Sequence, residues 1–134
     1  MARTGDSFIV HLTPSQLGWG DERYTNSRAI RYCEGYLAIP KQYAKAFDLF
    51  NSNYTNGKDV LGKNIFNCTT NDNFLNCQLK SQGCSKSGDI YAKQFAGNDN
   101  LRTLGSWYAH IHANVGDQIE VLFLSPTEIR LTLI

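Results

Sequence analysis

Two runs near the end of the chain leave the least choice of fold. Ile119, Val121 and Phe123 alternate with Gln118, Glu120, Leu122 and Leu124, and Ile129, Leu131 and Leu133 alternate with Arg130 and Thr132. A period of two puts one set of side chains on one face of a strand. The turn Ser125-Pro126-Thr127-Glu128 between the runs makes them a hairpin. A lone hairpin is marginal in water, so its apolar face needs more strands to cover it. The end of the chain therefore commits the rest to a sheet.

The remaining sequence supplies candidates. Phe8–Leu12 reads as a first strand, closed by Thr13-Pro14-Ser15. Gly18-Trp19-Gly20-Asp21 opens a polar connection, and Gly35–Ile39 is the next strand. Pro40 suits the first turn of a helix over Lys41–Phe50, with Tyr43, Ala44, Phe47 and Phe50 inward and Lys41 and Lys45 outside. Eight asparagines between Asn51 and Asn76 predict loops and short strands. Lys63–Thr69 and Phe74–Leu79 form a second hairpin around Thr70-Asn71-Asp72-Asn73. Asp89–Phe95 is a further strand, ended by Gly97-Asn98-Asp99-Asn100, and Leu101–Leu104 and Trp107–Ala113 continue in extended form. The expected fold is mainly β: one domain over residues 1–134, a seven- to eight-stranded open pseudobarrel with one or two short helices.

Charge is spread unevenly along this frame. The formal net charge is only +1, which excludes a massively basic nucleic-acid coat protein, but residues 106–134 set Arg130 against Asp117, Glu120 and Glu128. The basic residues therefore concentrate upstream. Arg23-Tyr24-Thr25-Asn26-Ser27-Arg28-Ala29-Ile30-Arg31-Tyr32 carries three arginines, two tyrosines and an asparagine with no acid between them. Arginine contacts phosphates and guanine edges, asparagine pairs with adenine, and tyrosine stacks or bonds a phosphate. A second polar cluster, acid-poor apart from Asp99, follows at Lys93, Gln94, Asn98, Asn100 and Arg102. The plain alternative for both is a solvated loop.

Three passages resemble the DNA-binding pseudobarrel, the fold of the plant B-three (B3) transcription-factor domain and of the effector and specificity domains of certain restriction endonucleases. They are Gly35-Tyr36-Leu37-Ala38-Ile39-Pro40-Lys41, Trp107-Tyr108-Ala109-His110, and Asn114-Val115-Gly116-Asp117-Gln118-Ile119-Glu120-Val121. The Ile-Pro helix start and later Gly-Asp turn also look like the swapped-hairpin barrels of bacterial transition-state regulators, which are much shorter and dimeric. The longer pseudobarrel suits this chain better. That resemblance implies two arms entering the major groove of double-stranded DNA. Arg23, Tyr24, Asn26, Ser27, Arg28, Arg31 and Tyr32 fall in the first arm, and Lys93, Gln94, Asn98, Asn100 and Arg102 in the second. Arg28 or Arg31 would read a guanine edge, while Arg23, Lys93 and Arg102 would hold phosphates. Lys41 and Lys45 fit a solvated helix face better than a backbone clamp. The reading requires both clusters on one face of the barrel. It implies sequence-specific binding as a monomer without cofactor or metal, as the specificity module of a restriction-type system whose cleavage, if any, belongs to a separate nuclease domain or chain.

Other chemistries have thinner support. His110-Ile111-His112 on a strand would point both imidazoles to one side, half of a metal site that His11 could join, but Asp89, Asp117 and Cys84 compete equally as further ligands. There is no Gly-x-Ser-x-Gly elbow, and Asp117 after Gly116 reads as a turn residue. Trp19, Trp107 and Tyr108 could line a stacking pocket, although Trp107 fits the barrel core better. Cys33, Cys68, Cys77 and Cys84 fit no zinc spacing. With no apolar leader and no run of about 18 apolar residues, the expected setting is cytoplasmic, off the membrane, with free thiols. A carbohydrate-binding β-barrel without catalytic activity is the alternative, and it would expect oxidised cysteines.

Overall fold

The computed structural model describes residues 2–17, 35–52, 59–83, 90–98 and 100–134. Its strands are β1 (Ser7–His11), β2 (Leu37–Ala38), β3 (Ile65–Thr70), β4 (Asn76–Gln82), β5 (Gln94–Gly97), β6 (Gln118–Ser125) and β7 (Glu128–Leu133). Three short helices accompany them among the described residues: α1 (Pro14–Leu17), α2 (Lys41–Ala46) and α3 (Thr103–His110). The seven strands make one sheet in the order β1-β6-β7-β3-β4-β5-β2. It curls into a nearly closed barrel whose seam is unsealed. Neighbours are antiparallel except β3 and β7, where Asn67 faces Glu128 and Thr69 faces Arg130 in parallel register.

The hairpin at the end forms as its pattern dictates. Ile119, Val121, Phe123, Ile129 and Leu131 are fully or almost fully buried. They meet Phe66 from β3 and Phe95 from β5, whose rings pack edge to face at 5.7 Å. Cys68 and Cys77 lie opposite each other on β3 and β4 as free thiols, Cys68 in the core and Cys77 packed against it. Burying each such apolar side chain removes roughly 1.5–3 kcal/mol worth of surface from water. The interior of the barrel is the core.

Several expected elements differ in extent or kind. The strand at Gly35–Ile39 contracts to Leu37–Ala38. The helix of Lys41–Phe50 stops at Ala46, because Asp48 takes a left-handed φ of 52° and turns the chain. Leu49 then drops into the core and Phe50 bridges to Tyr91. The strand placed over Asp89–Phe95 starts only at Gln94.

The largest correction is at 101–113. This stretch is not extended; Thr103–His110 is a helix. Trp107 and Tyr108 favour strands by themselves, yet Leu104, Trp107 and Tyr108 are all buried at helical spacing. Packing decides over propensity. Trp107 is fully buried, its Nε1–H donating to Asp72 Oδ2 at 3.1 Å, and the Tyr108 hydroxyl donates to Tyr36 O at 2.8 Å. Neither ring is available as a stacking platform.

Candidate nucleic-acid interface

The basic segment Arg23–Tyr32, with Arg23, Tyr24, Asn26, Ser27, Arg28, Arg31 and Tyr32, lies outside the described residues, as does Trp19. Its described flanks are both held. At the near end, Gln16 is buried: its carbonyl accepts from Tyr36 N at 3.2 Å, and its side-chain oxygen accepts from Ala38 N at 2.9 Å. At the far end, Gly35 N donates to Leu101 O at 3.1 Å. A Cβ on Gly35 would approach Gly105 N to 3.1 Å and Gln16 O to 3.0 Å, so glycine permits this close passage against α3. The chain thus leaves at α1 and returns beside the turn that carries Asn98, Asn100 and Arg102.

That turn is built tightly. Asn100 Oδ1 accepts from Arg102 N at 3.0 Å, and Arg102 O accepts from Ser106 N at 2.8 Å, which starts α3. A Cβ on Gly97 would fall 2.0 Å from Asn100 O, so only glycine fits under the turn. Asn100 therefore has a structural duty, while its own exposure and that of Arg102 leave both at the surface.

β5 separates the second cluster into two ends. Lys93 precedes the strand and Asn98 follows it, so the two are about 17 Å apart along an extended chain. Lys93 instead borders a cavity with Lys41 and Lys45. Gln94 stands on the same outer face as Asn98, paired in register with Gln82 and Ala38.

Asn98 also opens a feature that residue-by-residue reading missed. Its Nδ2 donates to Gln78 Oε1 at 3.2 Å, and Gln78 Nε2 donates to Asn67 Oδ1 at 3.4 Å. Three primary amides thus cross β5, β4 and β3 in one row on the outer face, with Glu128 next on β7. The signal was present in the alternation Asn67-Cys68-Thr69 and Asn76-Cys77-Gln78, whose thiols point inward. Only the strand pairing shows that the outward residues line up. Each amide is both donor and acceptor, the pairing chemistry that matches an adenine edge.

His110 and His112 do not share a strand face. His110 ends α3 and stacks on Phe74 at 4.1 Å, whereas His112 lies beyond the helix in a left-handed conformation. Among the described residues no three His, Cys, Asp or Glu side chains gather as a metal site. Asp117 Oδ2 accepts from Asn114 N at 2.8 Å, the turn role its sequence context implies. No helix among the described residues is long and apolar enough to cross a membrane. No protein-family model matches the chain, and no curated protein matches it in sequence.

Proposed function

We propose that this chain binds double-stranded DNA sequence-specifically, with the segment Arg23–Tyr32 and the turn Asn98–Arg102 as its two contacting arms. The observation that carries the reading is the hydrogen bond from Gly35 N to Leu101 O, which ties the return of the basic segment to the turn of the second cluster. The reading requires one duplex to meet both clusters from one side. Arg28 and Arg31 are the guanine readers, and Arg23 and Arg102 the phosphate contacts. Asn98, backed by Gln78 and Asn67, offers amide pairing to adenine, with Gln94 on the same face. Lys93, at the far end of β5, is outside this contact. In a restriction-type assembly such a module supplies specificity, and a separate domain or chain supplies cleavage.

Fluorescence anisotropy with labelled random-sequence duplexes at low salt tests the reading. Binding is expected, and an unchanged signal at high protein concentration would end it. Arg28→Ala should relax base preference in a selection from random sequence, by a loss of about 1–3 kcal/mol of discrimination at one position. Arg102→Ala should weaken all duplexes alike. Equal effects of the two variants would overturn the division of roles.

A further inference from the structure

A second site lies at the other end of β5. The chain from Ile90 to Lys93 runs beside the segment that follows α2. Asn51 N donates to Ile90 O, and Ala92 N to Leu49 O, each at 2.8 Å. Phe50 and Tyr91 pair across this ladder with their rings stacked at 5.9 Å. Ile39 N donates to Lys93 O at 2.8 Å, fixing the start of α2 against the same strand. These bonds make two fixed walls, one of helix and one of extended chain. Between them is a cavity of about 500 Å³ lined by Ile39, Lys41, Lys45, Ile90, Tyr91, Ala92 and Lys93.

Its chemistry is divided. Ile39 and Ala92 are buried beneath it, Tyr91 is half-buried, and Ile90 keeps 42% of its surface exposed at the cavity. Three lysines line the same cavity, Lys41 and Lys45 from α2 and Lys93 from the extended chain. Lys41 and Lys45 stand four residues apart on one helix face, where like charges repel and disfavour the helix. A dianion between them would turn that repulsion into attraction. The volume falls in the range of small-molecule sites, with an apolar lining and a few convergent polar groups.

We propose that this cavity binds a small phosphate monoester carrying a flat apolar body. The phosphate, with a charge of about −1.5 to −2 at neutral pH, is held by Lys41 and Lys45, and the apolar body lies over Ile90 and Tyr91. A diester phosphate of a DNA backbone shares the anionic chemistry but has one charge and no flat body free to enter. The proposal therefore does not depend on the DNA reading.

Calorimetric titration of the whole chain with phenyl phosphate, inorganic phosphate and phenol tests it. Phenyl phosphate should bind at least about tenfold more tightly than either fragment. Lys41→Ala or Lys45→Ala should each weaken it roughly tenfold, as for loss of a charge-assisted bond. Ile90→Ala should weaken phenyl phosphate but leave inorganic phosphate unchanged. All three positions are exposed, so the variants should keep the parental circular dichroism. Phenyl phosphate binding no better than inorganic phosphate, or indifferent to both lysine variants, would overturn the proposal. A duplex titration of Lys45→Ala separates the two sources of phosphate. Unchanged duplex affinity supports the small-ligand site; weakened duplex affinity with intact phenyl phosphate binding makes the lysines a DNA clamp and refutes it.

Discussion

At the residue scale, Asp72 bears more structure than its turn position suggests. Its Oδ1 accepts from the Thr70 hydroxyl and, at 3.0 Å, from Phe74 N; its Oδ2 accepts from Trp107 Nε1. His110 Nε2 lies 3.9 Å from the same Oδ2. The Thr70 hydrogen bond first, then the Phe74 and Trp107 donors and the His110 charge, hold its carboxyl below the ordinary value of 3.8. A depressed folded-state value means the carboxylate stabilises the fold above pH about 4 and loses that contribution as pH falls through its folded value. Asp72→Asn puts an amide donor in the ring of donors where the carboxylate was. It should lower the urea midpoint at pH 7, and the gap to the parent should narrow by pH 3, below the ordinary value of 3.8 at which the carboxylate's contribution begins to be lost. A gap of equal size at both pH values would remove the charge from the explanation.

At the scale of elements, α3 is the organising piece, because Trp107 reaches the β3–β4 turn and Gly105 lies against Gly35. Gly35→Ala should therefore act on two elements at once. The new methyl would press on backbone of Gln16 and Gly105 at 3.0–3.2 Å, where neither can swing aside as a side chain would. A cost of about 1–2 kcal/mol in urea denaturation is expected, with weaker duplex binding because the return of the basic segment shifts. Normal duplex affinity in a destabilised Gly35→Ala would detach the segment from the proposed contact. The contrast between α3 and the last hairpin shows what is readable locally. Ile119–Phe123 and Ile129–Leu133 repeat with a period that no other structure satisfies, so β6 and β7 were legible. In α3 the aromatic pair Trp107-Tyr108 and the helix-weakening Gly105 point away from a helix, and the deciding contacts lie with Asp72 and Tyr36, 35 and 72 residues away in sequence. The same non-locality hid the amide row: Asn67, Gln78 and Asn98 become neighbours only once β3, β4 and β5 are in register.

At the scale of the whole molecule, the parallel pairing of β3 with β7 joins β1-β6-β7 to β3-β4-β5-β2 in one sheet and has no local signature, so strand order was beyond reach while strand content was not. The same topology bears on how the protein would bind DNA. With a net charge of +1, attraction to a polyanion cannot come from the molecule as a whole and must come from the charges that touch it. Each phosphate neutralised contributes about −0.9 to the slope of log affinity against log salt. Two phosphate contacts, Arg23 and Arg102, therefore predict a slope of about −2 for the parent duplex complex. Arg102→Ala should flatten it by about one. Lys93→Ala should leave it unchanged, because β5 carries Lys93 to the other end of the strand beside Lys41 and Lys45. A salt titration of the three proteins by anisotropy reads all of this from one set of slopes. If Lys93→Ala flattens the slope as much as Arg102→Ala does, the duplex must run the length of β5, and the two-armed contact gives way to one that follows the strand.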